Sequence, residues 1–482
     1  MKVNLAGYNI DSSLIATLDQ ETATPEVISA AYARISRSAR SVTELRSAAL
    51  KEIAKARNSN RSIIFEMGHA SVAEHAVFNI DIIGISRHLT ETVQRSRLAS
   101  FTEKSQRYVT FEQDFVIPAE LEGTIRLKKC YIQLCNKLFA EYRHCYELLD
   151  SYYANESPQL GKRDRECLSK EDARYILPLA AKTQMGVTIN ARSLEVLLRR
   201  LSVHPALEAR ELHRQLYEEV HSIAPSLIRY TEADAFGGSP DPNLLPDKIL
   251  GIALPPGSVS LVSSPEDTDR TLLALMLFER GLSPFKECYA YLGGVGEDRL
   301  KELYSTVFEG LKPYHKLPRC FEAAEFCFQI SMSECCWAQF KRHRSATLIK
   351  QVPTQAELVI PESVAALGRE AVWQKLLGEV KDFRKEISDA VELEGGERHG
   401  PLPAVLPYTA LNAETVNIFA KMNLRELYHF SRLRSDVHAQ WEIRRISDQM
   451  LDLVKQHAPL AGQHLKGKSG FVCETSETRN QD

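Results

Sequence analysis

Arg95, Arg97, Lys104 and Arg107 crowd into one short stretch, Gln94–Val109 (QRSRLASFTEKSQRYV), beside a single acid, Glu103. Ser105 and Arg107 stand two residues apart. In an extended loop both side chains would face the same way, a hydroxyl and a forked guanidinium suited to gripping a phosphate. The competing account is a solvated basic loop, with Arg95 and Arg97 complementing the C-terminal dipole of a preceding helix. A cousin of the segment, Gln339–Thr354 (QFKRHRSATLIKQVPT), keeps the arginine pair as Arg342 and Arg344 around His343 but lacks the hydroxyl and the final arginine. A third patch, Asn423–Arg445, carries Asn423, His429 and Arg434. At about 100° per residue these three point in different directions on one helix, so a break or a second face is needed to unite them. Leu424, Leu427, Phe430, Leu433 and Val437 offer a core stripe there. Chemistry alone leaves the patch open between a packed helix and a site.

The elements that must hold these residues come in pairs. An apolar strand candidate running into a helix precedes Arg95 (AVFNIDIIGISRHLTETV), and a similar one precedes Arg342 (EFCFQISMSECCWAQFK). The tripeptide V-I-P follows both basic segments, and YILPL near Tyr175 parallels AVLPY near Ala404. The offsets are 247 for the arginines, 243 for V-I-P and 229 for L-P, close to half of the 482 residues. Such an offset exceeds a solenoid unit and fits a duplicated domain. Each copy reads as α+β, a sheet packed with long helices. The expected organisation is a first domain over 1–228, a linker rich in Gly and Pro over 229–250, a second domain over 251–461 and a polar, disordered tail over 462–482. The segment SFTEKSQRY, poor in apolar periodicity, is expected as a loop. In GHASVAEH, Ser71 and Glu74 have the spacing of a capping box, with His69 and His75 beside it.

The bulk numbers exclude several classes. A formal charge of −3 offers no global pull toward nucleic acid or anionic membrane. No apolar run reaches the roughly 20 residues that a membrane span needs. Ten scattered cysteines without a C-x-x-C pair fit a reducing, cytoplasmic setting and no metal site. The N-terminal residues carry no secretory pattern, so no export is expected.

The motifs together resemble the flavin-dependent thymidylate synthases, whose signature is Arg-His-Arg, seven residues, then Ser. Arg95-Ser96-Arg97 with Ser105 matches it except for Ser96 in the histidine place, and the continuation through Glu103, Ser105, Arg107 and Tyr108 matches too. GHASVAEH, ARYILPL and INARSL also match; in the second half Arg342-His343-Arg344 and NLRELYHFSRLRSDVHAQWEIR do so. The resemblance implies two tandem copies of that domain, FAD as cofactor, NADPH and methylenetetrahydrofolate as co-substrates, and conversion of dUMP to dTMP. It implies a homodimer forming a pseudo-tetramer, while the charge and the lack of an apolar span lead to the expectation of no nucleic-acid and no membrane partner. By the same resemblance Ser105, Arg107, Arg174, Gln339 and Arg434 fall at dUMP-binding positions, Arg434 being the one that polarises the ring, and Glu103 lies near both ligands. His69, Ser71, Arg342, His343, Arg344, Asn423, Arg425 and His429 fall at flavin or folate positions. The second copy has Val352, Lys350 and Pro403 where the first has Ser105, Glu103 and Arg174. The first has Leu201 or, with a one-residue shift, Arg200 where the second has Arg434. Neither copy alone holds a full set, so the two are expected to pool residues. Three alternatives stand beside this one: a flavin enzyme acting on another pyrimidine nucleotide or with another one-carbon donor, a non-catalytic binder of nucleotide or flavin, and nucleic-acid binding through the basic loops, which the negative charge and the lack of an aromatic-rich platform disfavour.

Overall fold

The computed structural model describes residues 1–10, 24–35, 38–234, 254–281, 283–352, 357–393 and 401–471. Two four-stranded antiparallel sheets organise it. The first contains β1 (Lys2–Tyr8), β2 (Val77–Ser86), β3 (Ala99–Glu103) and β4 (Lys182–Asn190) in the order β1-β2-β4-β3. The second contains β5 (Val259–Ser263), β6 (Glu325–Ser333), β7 (Thr347–Gln351) and β8 (Thr415–Asn423) in the order β5-β6-β8-β7. The central pairs match end for end: Val77 faces Asn190 as Glu325 faces Asn423. This identity of order and pairing is the structural mark of the duplication.

Strict alternation makes these strands. Phe78, Ile80 and Ile82 on β2 and Met185, Val187 and Ile189 on β4 point into one core, with polar neighbours outward. Phe326, Phe328, Ile330 and Met332 do the same on β6. Gly84 sits at φ +77° where the β2–β4 register slips, a left-handed position that a side chain would strain. β2 and β6 each run directly into a short helix, Arg87–Gln94 or Glu334–Phe340, because the last strand residue is a serine, Ser86 or Ser333, whose hydroxyl caps the helix. Cys335 and Cys336 are buried in the second of these helices, as their pattern implied.

The chain clusters into two compact units, residues 1–249 with 361–411 and residues 250–360 with 412–482. Segment 361–411, which by sequence follows the second V-I-P, packs in the first unit. Its helix Glu370–Leu393 lies on the long helix Ile125–Glu156 of the first copy. Glu141, buried on that helix, accepts from Arg369 Nε (3.1 Å) and Nη2 (2.5 Å), from Trp373 Nε1 (3.1 Å) and from Cys145 Sγ (3.0 Å). Lys137–Glu379 and Arg126–Glu386 add ion pairs on the exposed side.

Several expectations change. Ala99–Glu103 is an edge strand rather than a loop: Ala99, Phe101 and Glu103 turn inward, and a five-residue edge strand carries too few apolar positions to announce itself. Ser105–Tyr108 is a turn, not an extended stretch, with Arg107 N donating to Ser105 Oγ at 3.2 Å and Val109 N to Ser105 O at 3.1 Å. Ala70–His75 is a 3-10 helix without a side-chain cap; Glu74 pairs with Arg192 instead of closing a capping box with Ser71. The Asn423–Arg445 patch is two helices, Leu424–Arg434 and Trp441–His457, broken by a turn. Leu424, Leu427 and Phe430 are buried, whereas Leu433 and Val437 lie on the exposed side of that break. Within the tail expected to be disordered, residues 462–471 are packed: Leu465 and Phe471 are buried and Ser469 donates to Asp436. Gly467 lies against the Ser435–Asp436 turn so closely that a Cβ would come within 2.4 Å of Ser435 O. Residues 472–482 and most of the expected linker, 235–250, lie outside the described residues. No helix among the described residues is long and apolar enough to cross a membrane.

Candidate functional site

In the first unit two of the anion-gripping candidates, Arg107 and Arg174, meet at Glu171, one at its carboxylate and the other at its main-chain carbonyl. Arg107 Nε lies 2.5 Å from Glu171 Oε2, and Arg174 Nε donates to Glu171 O at 3.2 Å. The turn after β3 presents Ser105 and Arg107, and the end of helix Lys162–Ala173 presents Glu171 and Arg174. Burial pushes the Glu171 carboxyl up, while the Arg107 and Arg174 guanidiniums pull it down. Glu103, at the end of β3, pairs with Arg87 and accepts from Gln94 Nε2 at 2.7 Å. Arg107 and Arg174 therefore meet at Glu171, and Ser105 joins them through its bond to the Arg107 N–H. His69 and Ser71 are exposed on the 3-10 helix Ala70–His75 and its start, away from any contact with this cluster that the described structure records.

The second unit assembles a different set. Arg434, the last residue of helix Leu424–Arg434, donates through Nε to His343 Nε2 at 3.0 Å and through Nη2 to Gln339 O at 3.0 Å. His343 Nδ1 lies 3.2 Å from Glu426 Oε1. Gln339 Nε2 reaches Gln440 Oε1 at 3.5 Å, and Gln440 caps the next helix. His343 is only 4% exposed. Burial foremost, with Arg434 and His429 nearby, keeps its imidazole below the ordinary range, against the pull of Glu426. Arg342, Arg344 and His429 are exposed around this core, His429 with its ring 5.9 Å from that of His343. The break after Arg434 thus unites residues that one straight helix would have scattered.

Comparing the two units separates scaffold from chemistry. Asn423 caps its helix by accepting from Glu426 N, as Asn190 does from Ser193 N, and Arg425 pairs with Glu322 as Arg192 pairs with Glu74. Both have structural work in both copies. Arg200 Nη1 donates to Thr92 O at 3.3 Å just as Arg434 donates to Gln339 O, which makes Arg200, rather than the buried Leu201, the counterpart of Arg434. The first copy therefore keeps the guanidinium but has Ser96 and Ser193 where the second has His343 and Glu426. Sequence reasoning missed Glu171 and Glu426; both stand three residues from a residue it had singled out, Arg174 and Asn423, one helical turn away.

The family model described as thymidylate synthase complementing protein matches residues 17–226 and again 297–460. A flavin-dependent thymidylate synthase of Clostridium tetani is 29% identical over 221 residues, 45% of this chain and 86% of that protein. One from Geobacter sulfurreducens is 32% identical over 214 residues, 44% of this chain and 83% of that protein. A Thermoplasma acidophilum protein, known only as a UPF0159 protein, aligns at 23% identity over 455 residues, 83% of this chain and 87% of its own length. The solved Helicobacter pylori flavin-dependent thymidylate synthase, complexed with FAD and dUMP, aligns over 48% of this chain and all of its own at 19% identity and a TM-score of 0.32. With one family model met twice along a chain that folds into two sheets of the same order, the protein belongs to the flavin-dependent thymidylate synthase family and carries its domain as two tandem copies.

Proposed function

We propose that this chain is an FAD-dependent thymidylate synthase-like enzyme that methylates dUMP to dTMP, with methylenetetrahydrofolate as one-carbon donor and NADPH as reductant. The observation that carries the reading is the Arg107–Glu171–Arg174 cluster with Ser105. Two guanidiniums and a hydroxyl suit the phosphate of a nucleotide. Arg434, held by His343 and Gln339, supplies a fixed positive group of the kind that stabilises negative charge developing on a pyrimidine ring. Arg342, Arg344 and His429 form an exposed donor set that fits a dinucleotide cofactor, with His69 and Ser71 as further candidates in the first unit. Bound FAD would supply the hydride and one-carbon chemistry, and the protein its orientation. His343 has both ring nitrogens engaged, so its part is support of Arg434 rather than a direct flavin contact. Assembly as a homodimer and a cytoplasmic setting belong to the same proposal.

Purified protein incubated with FAD, NADPH, methylenetetrahydrofolate and dUMP is expected to form dTMP and to show flavin absorbance between roughly 370 and 450 nm. Flavin binding without dTMP would turn the assignment toward another pyrimidine nucleotide. That second reading is favoured by Ser96 and by Lys350, which depart from the family pattern at two ligand-side positions. Colourless protein that takes up no FAD would reduce the chain to a non-catalytic binder.

A further inference from the structure

We propose that Glu426 is a positioning residue for Arg434, acting through His343 as a one-proton relay. The inference rests on the assignment of Arg434 to the pyrimidine ring. Arg434 Nε is always a donor, so His343 Nε2, 3.0 Å away, must be a bare acceptor. The ring's one proton then sits on Nδ1 and points at Glu426 Oε1, 3.2 Å away. The main chain of Glu426 is held through its N–H, which donates to the Asn423 cap. The chain Asn423, Glu426, His343, Arg434 therefore links the helix start to the guanidinium, and the His343 ring cannot rotate without breaking its contacts to both Glu426 and Arg434. The first unit has the cap and the guanidinium but serines at both intermediate places, and there the Ser96 hydroxyl is buried without a partner. The relay is thus specific to the second copy.

Protonation of His343 would place N–H against N–H at Arg434. The charged and titratable neighbours are Glu426, His429 and Arg434 on helix Leu424–Arg434, with Arg342 and Arg344 on its own turn. Burial holds the ring neutral, so the contact is intact at neutral pH and is lost as pH falls. Glu426 favours the protonated ring, so its removal moves this acid limb to lower pH.

The test combines Glu426→Leu and Glu426→Gln in full-length protein. With 15N-labelled histidine, His343 in wild type and in Glu426→Gln is expected as the Nδ1–H tautomer, since the glutamine oxygen still accepts. Glu426→Leu is expected to release the ring from Arg434, so that Nε2 is no longer held as an acceptor and the His343 signal divides between the two tautomers. Turnover should fall about 10²-fold in Glu426→Leu, as for other sub-ångström misplacements of a reacting group, with flavin binding and nucleotide KM little changed. Glu426→Gln should stay within about fivefold, the loss of one charge assistance to a hydrogen bond. An unchanged tautomer and turnover in Glu426→Leu would overturn the relay, as would a folded Glu426→Gln as impaired as Glu426→Leu. Absence of dTMP from wild type would sink the enzymatic assignment alone, because the tautomer measurement does not need turnover.

Discussion

At the junction between central strand and first helix, the two units keep one device and invert another. Ser86 donates through N and Oγ to Glu208 at 2.8 and 2.7 Å, and Ser333 donates likewise to Glu442 at 2.8 and 2.5 Å. One residue on, Arg87 pairs with Glu103 in the first unit, whereas Glu334 pairs with Lys350 in the second, at 2.7 Å. Both pairs stand 247 residues apart, so the same ion bridge is present with its signs exchanged. A buried carboxylate that satisfies two donors has no equivalent replacement and stays. A bridge between two side chains can reverse once both ends have changed, because only the product of the charges matters. The comparison teaches that the two copies keep the bonds that close the backbone while a bridge between two side chains has been rewritten.

The largest expected effect breaks the inverted bridge. Lys350→Glu places two poorly solvated carboxylates together and should cost about 3–5 kcal/mol in urea unfolding, as for other half-removed buried pairs. Adding Glu334→Arg recreates the polarity of the first unit and should restore most of that loss; a double variant no better than the single would deny the equivalence. Next comes the guanidinium without a first-unit relay to compare: Arg434→Ala should lower dTMP formation about 10²–10³-fold, the range for deleting one preorganised donor, with flavin absorbance retained. Arg200→Ala, in the copy without His343 and Glu426, should leave turnover within about twofold, since no preorganised group is lost there. Retained activity in Arg434→Ala would erase the functional difference between the copies. Arg107→Ala should raise the nucleotide KM by about 10–100-fold through loss of a charge-assisted phosphate contact. Glu171→Gln combined with it avoids stranding a buried charge; an unchanged KM would remove the first unit's claim to the phosphate. The smallest effect is expected from Ser96→Ala, within about 1 kcal/mol of wild-type stability, because the hydroxyl has no partner to lose.

Much of this was legible from residue order. The alternation of Phe78 to Ile85 and of Phe326 to Met332 announced the central strands, and the repeated V-I-P and L-P marked the duplication. The Arg-His-Arg triplet and the Ser105–Arg107 pair pointed to clusters that the fold assembles. What stayed hidden depends on neighbours distant in sequence. Glu208 and Glu442 lie more than a hundred residues from the serines they satisfy, and Glu171 meets Arg107 only because the turn after β3 approaches the end of another helix. Residues 361–411 carry helical and loop patterns of their own, but no local signal says which core they join. The β3 edge was missed because one face of it is polar by design of its position.

The Glu141 carboxylate sits on the first copy's long helix, yet every guanidinium and indole N–H that neutralises it arrives from Arg369 and Trp373, beyond the second V-I-P. A first copy made without residues 361–411 would leave that buried acid without Arg369 and Trp373. The first unit is thus completed by residues that the chain encodes within its second repeat.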